Sequence, residues 1–341
     1  MDSVLDYTSL KSLSASIPVV SAKWSYGDFW NAVKVRWGIG RDNSKVTPGI
    51  YKIGNPNNQS DVFVSANYKL SFDVLRKNLD FINAWILVID TKGVNVWCAA
   101  GKGNFGTKNL IESIIGNSLK DIVKHHKLIV SQLAAVGVAA HEVRKSTGFK
   151  VIFGPVRAVD IKDFVDAGYK ATPEMRKVNF PIYDRAKLIP VDLMYGKYKL
   201  LIALFSVFFL SGLDRSGFIF TKMIQTGFFP ITNILASYLA GIVITPLLLP
   251  VIPFRAFALK GALCGMLVIL ILNLGFSIPF IERLSLGFIG IGIASFMAMN
   301  FTGSSTFTSL SGVKLEMKWS IPVQIVIVAV GILLFIISKL I

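Results

Sequence analysis

Cysteine and histidine are scarce in this chain. The 341 residues include two cysteines, Cys98 and Cys264, and three histidines. Two thiols are too few for an iron–sulfur cluster, which usually takes four. Cys264 lies inside a long apolar run, where a small buried thiol is usual, so we expect no disulfide between the two. A cytoplasmic setting, inferred below, also disfavours one. Cys98 is therefore expected to be a free thiol or a metal ligand.

Acidic residues are also few, with 20 Asp and Glu against 36 Lys and Arg and a net charge of +16. No basic stretch with interleaved aromatics is typical of a nucleic-acid-binding module, so we expect no nucleic acid partner. A basic face beside anionic membrane lipid accounts for the charge instead. Charged side chains are absent from the centres of the long apolar runs, which disfavours an ion or proton transporter.

The apolar runs begin after Tyr195 and predict about five transmembrane helices. The predicted spans are Leu200 to Leu213, Phe228 to Ile252, Ala258 to Ile278, Leu284 to Asn300, and Ile321 to Ile337. The polar segment Thr302 to Lys318 is predicted to be a connecting loop. No apolar N-terminal stretch is typical of a signal peptide, so we expect the soluble region to stay in the cytoplasm.

Basic residues at the predicted span ends favour the same orientation. Six lie on the side of the soluble region and four on the other. The six are Lys197, Lys199, Arg255, Lys260, Lys314 and Lys318, and the four are Arg215, Lys222, Arg283 and Lys339. Because cytoplasmic loops carry the excess of Lys and Arg, a multi-pass protein of the cytoplasmic (inner) membrane is predicted, with its soluble domain in the cytoplasm.

The soluble region alternates short apolar strands with helical patterns, which predicts a Rossmann-like α/β domain with a mostly parallel sheet. Predicted strands are Val62 to Val64, Ala84 to Asp90, Leu128 to Val130 and Val151 to Phe153, and predicted helices are Leu70 to Leu79 and Thr107 to His125. The predicted domains are residues 1–45 as a lead-in, 46–196 as the α/β domain and 197–341 as the transmembrane domain.

Three loops follow predicted strands: the loop with Cys98, the loop Ser131 to Ala135, and the loop Gly154 to Arg157. In sheets of this kind ligands bind beyond the carboxyl ends of the strands. We therefore expect these loops to meet at one edge of the sheet and to form the site.

Gly101 to Gly106 matches G-x-G-x-x-G and follows a strand, so a dinucleotide site must be weighed. That fingerprint also requires an acidic residue at the end of the next strand, where Ser131 and Gln132 stand instead. A phosphate-binding loop needs a glycine at a fixed distance before Gly101 and Lys102, and there is none. The glycines would still let a planar cofactor approach the backbone closely.

Cys98 lies at a predicted helix start, where free amides, the helix dipole and Lys102 favour a thiolate. Such a thiolate could be a metal ligand or a nucleophile. Acyl chemistry would usually pair it with a histidine base. His125 and His126 lie at a predicted helix end and His141 after the Ser131 loop, and no arrangement singles one of them out.

The segment Asn95 to Lys102, with the sequence NVWCAAGK, closely resembles the cap-helix motif of the HgcA family of mercury-methylating corrinoid proteins. That family is a membrane relative of the acetyl-CoA-pathway corrinoid iron–sulfur protein. The resemblance extends in order to Pro48 to Tyr51, Val64 to Asp73, Gly154 to Ala158 and Ala171 to Arg176, and so covers nearly the whole chain.

The resemblance implies a base-off, cobalamin-type corrinoid, with Cys98 facing the cobalt as its lower axial ligand. Histidine-ligated corrinoid proteins instead carry Asp-x-His-x-x-Gly, and no histidine here has that aspartate two residues before it. The implied cap residues are Asn95, Val96, Trp97, Cys98, Ala99, Ala100, Gly101 and Lys102. Further implied cofactor-binding residues are Thr47, Asn67, Ser71, Gly154, Pro155, Val156, Arg157 and Thr172. For this second group, capping and turn formation remain the alternative.

The resemblance also implies transfer of a methyl group from methyl-Co(III) corrinoid to Hg(II), forming methylmercury. A thiolate below the cobalt would stabilise the oxidised metal left when the methyl departs with electrons, as an anion or a radical. A ferredoxin-like partner with two 4Fe–4S clusters would return cobalt to Co(I), and a methyltetrahydrofolate-linked donor would resupply the methyl group. The alternatives are a membrane-anchored corrinoid methyl carrier of one-carbon metabolism without mercury chemistry, and a non-catalytic membrane receptor for a nucleotide or metal.

Overall fold

The computed structural model describes residues 17–301 and 310–341, which fall into two compact units. The first unit runs to Val35 and continues from Ile39 to Asn179, and the second comprises Arg36 to Gly38 and Phe180 to Ile341. This division differs from the predicted domains. Residues 17–35 belong to the first unit, and a helix crosses the predicted boundary at residue 196 without a break. Residues 1–16 of the predicted lead-in and 302–309 of the predicted loop lie outside the described residues.

The first unit is an α/β fold built on a six-stranded sheet. Its strands are β1 Val19–Val20, β2 Gly49–Ile53, β3 Val62–Ala66, β4 Ala84–Ile89, β5 Lys127–Ser131 and β6 Lys150–Gly154. Its helices are α1 Tyr26–Arg36, α2 Lys69–Lys77, α3 Val96–Lys102, α4 Thr107–Gly116, α5 Leu119–Ile122, α6 Ala140–Thr147 and α7 Ile161–Asp166. The strand order is β1-β2-β4-β3-β5-β6, and only the β2–β4 pair is antiparallel. The predicted mostly parallel sheet is confirmed.

Strand β4 shows why these residues form the centre of the sheet, because all six of its side chains are buried. Trp85, Leu87 and Ile89 pack on one face with Leu110 of α4. Ala84, Ile86 and Val88 pack on the opposite face with residues of α2 and α7. A run that is apolar at every position is typical of a parallel strand covered by helices on both faces.

The predicted helix Thr107 to His125 is wrong in its continuity. Helix α4 ends at Gly116, Ser118 adopts a left-handed φ of 47°, and the short α5 ends at Ile122. The apolar spacing matches the helix through Gly116, but a residue in the left-handed region cannot continue an α-helix. His125 therefore follows a loop rather than ending a helix.

The second unit is helical apart from the short hairpin β7 Leu213–Asp214 and β8 Gly217–Phe218. Its helices are α8 Ile182–Ala186, α9 Ile189–Leu210, α10 Phe220–Thr226, α11 Phe228–Leu239, a π-helical turn Ala240–Ile244, α12 Thr245–Leu248, α13 Phe257–Asn273, α14 Phe280–Asn300 and α15 Leu310–Leu340.

Within the described residues, four helical segments are long and apolar enough to cross a membrane: Ile182–Leu210, Phe228–Leu248, Phe280–Asn300 and Ser311–Leu340. The remaining predicted span corresponds to the shorter Phe257–Asn273. The predicted first span ends too late, because Leu213 is in a hairpin strand. The predicted loop is wrong from Leu310 onward, where α15 has begun. The Glu316 carboxylate on that helix accepts the Ala258 amide proton at 2.6 Å, at the start of α13.

The long helices alternate in direction. Phe208 of α9 lies beside Phe228 of α11, and the Lys339 ammonium of α15 pairs with the Glu282 carboxylate of α14 at 2.7 Å. The bundle therefore has two ends. The starts of α9, α13 and α15 lie at the end named end A here, together with the finish of α14. The finishes of α9, α13 and α15 lie at end B with the start of α14.

Candidate functional site

Cys98 is held on a helix of two turns, α3. The Asn95 side chain caps this helix, with Oδ1 accepting the Cys98 amide proton at 2.9 Å. Ala99 and Ala100 are buried, whereas Gly101 and Lys102 are exposed and Cys98 is partly exposed. The small alanines let α3 lie close to the core while the cysteine stays accessible. Free amides were expected at the start of this helix, but the Cys98 amide donates its hydrogen bond to Asn95.

Asn67 fixes the loop that leads into α3. Its Oδ1 accepts hydrogen bonds from the Thr91 amide at 3.0 Å, the Thr91 hydroxyl at 2.9 Å and the Gly93 amide at 2.9 Å. Its Nδ2 donates to Asp90 Oδ1 at 2.9 Å. Asn67 and Thr91 are both buried. These bonds tie the end of β3 to the loop after β4, so Asn67 acts on the cysteine helix as a positioning residue.

The loop after β5 supports α3 from the other side. Helix α3 contacts both strand β3 and the 3₁₀ turn Gln132–Ala134. Gly137 permits the close approach, since a Cβ there would lie 2.7 Å from the Phe105 carbonyl oxygen and 3.0 Å from that of Ala100. Gln132 Oε1 in turn accepts a hydrogen bond from Arg176 at 2.9 Å. No local pattern in the sequence indicates these roles of Gly137 and Arg176, because they depend on contacts distant in the chain.

Helix α3 covers the point of the sheet where ligands are expected. The parallel strands lie in the order β4-β3-β5-β6. From β3 the chain passes to β4 on one side of it, and β5 and β6 are then added on the other side of β3, so the direction of strand addition reverses there. In doubly wound sheets the crevice outside the carboxyl ends at such a reversal is the usual ligand site. Because α3 contacts both β3 and the turn after β5, Cys98 lies on the element over that crevice.

Thr47 and Ser71 lie at this edge of the sheet for two different structural reasons. Strand β2 runs antiparallel to β4, so its start is level with the carboxyl end of β4, and Gly49 pairs with Val88. Thr47 is therefore placed beside Asn67, whose carbonyl oxygen accepts the Val46 amide proton at 2.8 Å. Ser71 stands in the first turn of α2, directly after β3.

Gly154 ends β6, and Pro155 to Arg157 follow it, one strand further from the crevice. Gly154 and Pro155 are buried, and the Ser131 hydroxyl donates to the Pro155 carbonyl oxygen at 3.4 Å. The Val156 amide donates to the Met175 carbonyl oxygen, and Arg157 reaches the Asn179 carbonyl oxygen at 3.1 Å. Thr172 Oγ1 accepts the Met175 amide proton at 3.3 Å. This group holds the segment after α7 to the same edge.

The residues on α3 suit a large planar group with a soft metal. A Cβ placed on Gly101 or Gly103 would meet no atom within 4 Å, so the backbone there stands open to a ligand. No group of three His, Cys, Asp or Glu side chains that could hold a bare metal ion occurs among residues 17–301 and 310–341. His125 and His126 precede β5 at the opposite edge of the sheet, with His125 Nε2 2.8 Å from the Ser60 carbonyl oxygen. Cys98 is thus the soft ligand that the α3 surface offers.

Comparisons with known proteins match this same part of the chain. Residues 38–165 match the family described as CO dehydrogenase/acetyl-CoA synthase delta subunit. The acetyl-CoA decarbonylase/synthase complex subunit gamma of Methanopyrus kandleri is 30% identical over 128 residues, which are 37% of this chain and 27% of that protein. The corrinoid/iron-sulfur protein large subunit of Moorella thermoacetica is 29% identical over 125 residues, which are 36% of this chain and 28% of that protein.

The chain spans little more than a quarter of the length of these two relatives. The helical unit from Phe180 onward lies outside the residues 38–165 that match the family model. Those matched residues include every strand from β2 to β6, the Cys98 helix and the loop Gly154 to Arg157. Part of the chain is thus similar to proteins of the acetyl-CoA pathway, among them a corrinoid/iron-sulfur protein.

Proposed function

We propose that this chain is a membrane-bound, corrinoid-dependent methyltransferase that methylates Hg(II), with the Cys98 thiolate as the lower axial ligand of cobalt. The observation that carries the proposal is the position of Cys98. It is accessible on a short helix over the crevice of a doubly wound sheet, beside two glycines with open space around them. Similarity to a corrinoid/iron-sulfur protein supports the cofactor class.

A bound corrinoid would supply the cobalt-bound methyl group that passes to the Hg(II) substrate. The chain's own contribution is to hold a thiolate at one fixed place. Asn95 and Asn67 fix α3 through the bonds described above, and Gly101 gives the macrocycle room. A thiolate donates electron density strongly to a metal, which favours a departing methyl group that takes electrons with it. The surrounding side chains proposed to contact the cofactor are those from Thr47, Ser71, the loop Gly154 to Arg157, and Thr172.

The surroundings of the proposed reaction are proposals as well. A ferredoxin-like protein with two 4Fe–4S clusters would restore the reduced cobalt, because two cysteines cannot bind such a cluster. The methyl group would come from a methyltetrahydrofolate-linked donor. The long apolar helices would place the protein in the cytoplasmic membrane, with the α/β unit on the cytoplasmic side.

A second candidate function is a membrane-anchored corrinoid carrier that passes methyl groups to a partner enzyme of one-carbon metabolism. The observation behind it is the names of the relatives, which are subunits of an acetyl-CoA decarbonylase/synthase complex. The two candidates share the cofactor and Cys98 and differ in the methyl acceptor.

The test is the absorption spectrum of the anaerobically purified full chain reconstituted with cobalamin. Wild type, Cys98→Ala and the control Cys264→Ala are compared, since Cys264 is buried in the helical unit. We expect a base-off spectrum with a cysteine-dependent component that Cys98→Ala alone loses, and loss of methylmercury formation in the same variant.

Each other outcome selects a different conclusion. Full methylation activity in Cys98→Ala would overturn the thiolate role. Corrinoid binding without methylmercury from Hg(II) would leave the carrier function. Failure of the wild type to bind any corrinoid would refute the cofactor and return the Gly101 to Gly106 loop to its nucleotide-binding interpretation.

A further inference from the structure

The helical unit contains a cavity of about 340 Å³ near end A, with both polar and apolar lining residues. It is unrelated to the cysteine site and lies among residues of the second unit only. Its lining includes Asp192, Tyr195, Lys199, Ile242, Met297 and Asn300. One carboxylate, one ammonium, one phenol and one amide thus meet in a bundle whose other side chains are mostly apolar.

The charged pair is arranged along one helix. Asp192, Tyr195 and Lys199 follow each other at spacings of three and four residues on α9, so their side chains share a face of that helix. The negative group is nearer the start of α9, and the positive group is two turns further along. The Lys199 ammonium lies 5.6 Å from the ring centroid of Phe296 on α14. The cavity therefore presents two opposite charges at separate, defined positions.

The walls of the cavity are fixed by close contacts. The Tyr238 hydroxyl donates to the Leu193 carbonyl oxygen at 3.0 Å. Its ring packs against Gly196, where a Cβ would lie 2.2 Å from the hydroxyl oxygen. The wall that carries Ile242 is the π-helical turn Ala240–Ile244, and such turns are frequent at functional sites. These contacts hold α9 against α11 on one side of the cavity.

The depth of the cavity matches that of lipid headgroups. On α9 the polar residues, including Tyr195, Lys197 and Lys199, end where the apolar run begins at Leu200. Tyr and Lys at such a border are typical of the membrane–water interface. Beyond the border, α9 exposes the apolar side chains of Ile202 and Phe205, at 68% and 72%. A headgroup in the cavity would therefore leave its acyl chains beside an apolar helix face.

We propose that the cavity binds the headgroup of phosphatidylethanolamine. The Asp192 carboxylate would accept hydrogen bonds from the primary ammonium, and the Lys199 ammonium would bind the phosphate. Tyr195 and Asn300 would hydrogen-bond the remaining phosphate oxygens. A choline headgroup has no N–H to donate to Asp192, and a glycerol headgroup brings no ammonium group to that carboxylate. The inference rests on the membrane-spanning helices and is independent of the corrinoid proposal.

The experiment is native mass spectrometry of the full chain with equimolar phosphatidylethanolamine, phosphatidylcholine and phosphatidylglycerol of matched acyl chains. We expect the wild type to retain phosphatidylethanolamine about tenfold better than phosphatidylcholine. Asp192→Asn should abolish that preference, because an amide cannot pair with the ammonium as a charge. Lys199→Gln should weaken all three lipids, since all three carry the phosphate.

The matched control is Lys197→Gln, which removes a basic residue at the same depth of the same helix, outside the cavity lining. It should keep the wild-type preference. Soluble phosphoethanolamine, added as a competitor, distinguishes a free phosphate compound from a lipid and should not displace the lipid at equal concentration. Equal retention of the three lipids by wild type, a preference that Asp192→Asn retains, or displacement by the soluble compound would each overturn the proposal.

Discussion

The side chains of Asn95 and Asn67 use their polar atoms in hydrogen bonds within the protein, and those atoms are the ones that could otherwise bind a ligand. Asn95 Oδ1 is bonded to the Cys98 amide, and the amide group of Asn67 makes four hydrogen bonds to the loop at Asp90 to Gly93. Residues that the sequence predicted as cofactor contacts are therefore also the ones that position the thiol. The sequence placed the loop with Asn95 at the sheet edge, whereas the place of Asn67 and the hydrogen-bond partners of both asparagines required the folded structure.

Gly101 offers a test of the open face of α3. An alanine there would meet no protein atom within 4 Å, and alanine favours a helix over glycine by about 1 kcal/mol. We expect Gly101→Ala to keep or raise the melting temperature of the cofactor-free protein while weakening corrinoid binding about tenfold, because the methyl group would contact the macrocycle.

The measurement is a cobalamin titration by absorbance beside a thermal melt of the full chain. Gly116→Ala is the matched control, since Gly116 is also an open helical glycine but ends α4, away from Cys98. Unchanged cobalamin affinity in Gly101→Ala would mean that the cofactor does not approach α3 at this position.

Asp28 gives a pH dependence to the attachment of α1. Its carboxylate pairs with Lys69 at 2.8 Å and with Arg76 at 2.7 Å. Burial alone would raise the pKa of Asp28, but hydrogen bonds from Lys69, Ser25 and Arg76 hold that pKa well below its ordinary value of 3.8. A lowered pKa means that the stabilisation is complete above the ordinary value and is lost as pH falls through the folded-state pKa.

We therefore expect hydrogen-exchange protection of Tyr26 to Arg36 to stay constant from neutral pH to about pH 5 and to fall at lower pH. Rates are corrected for intrinsic exchange at each pH. Asp28→Asn should show lower protection at neutral pH and a flatter acid dependence. Equal acid sensitivity in wild type and Asp28→Asn would assign the transition to another carboxylate.

At the scale of single elements, glycines set how closely the membrane helices approach. A Cβ on Gly261 of α13 would lie 2.4 Å from the Ala298 Cβ and 2.5 Å from the Ala294 carbonyl oxygen of α14. One turn later, a Cβ on Gly265 would lie 2.5 Å from the Ala294 Cβ. Small residues at this spacing are the usual means of tight helix packing in lipid.

Gly261→Ala should therefore destabilise the bundle by about 1–3 kcal/mol, because a backbone carbonyl cannot move aside. Gly287→Ala on α14 is the control, since its new methyl group would meet nothing within 4 Å. The check is the thermal stability of both variants in the same detergent. An equal change of thermal stability in the two variants would show that the α13–α14 contact at Gly261 does not govern the effect.

The sequence predicted best those elements whose residues are nearly all apolar. The four parallel core strands were found because their residues are buried on both faces and read as apolar runs. Strand β2 was missed because Gly49 to Ile53 is short and mixed in polarity. The break at Ser118 was missed because nothing in the apolar spacing marks a single residue in the left-handed region.

At the scale of the whole molecule, hydropathy located every long helix but misjudged where the helices end. Helices α9 and α15 continue through polar residues well beyond their apolar runs. A hydropathy pattern detects only the apolar part of such a helix. Glu316 is the clearest case, since its carboxylate is buried and bonds the start of another helix. Lys339, which the sequence places among the basic residues at the predicted span ends, is buried in an ion pair with Glu282.

The remaining question at this scale is whether the 17-residue helix α13 crosses the membrane. Its rise is about 25 Å, near the lower limit for a span. Its contacts run antiparallel along α14, from Ala298 near its start to Ile269 against Gly290. A helix that follows a spanning partner in this way should itself span, which places Arg255 and Gly275 at opposite membrane surfaces.

We therefore expect Ser216→Cys and Gly275→Cys to react with a membrane-impermeant maleimide from one side, and Arg255→Cys only from the other. The variants are made without the native thiols, in Cys98→Ser and Cys264→Ala, and labelled in intact cells before and after permeabilisation. The hairpin with Ser216 lies at end B, where the Arg215 guanidinium donates to the Leu340 carbonyl oxygen at 2.7 Å. Labelling of Gly275→Cys together with Arg255→Cys would mean that α13 re-enters without crossing, leaving four spans and reversing the side on which α14 begins.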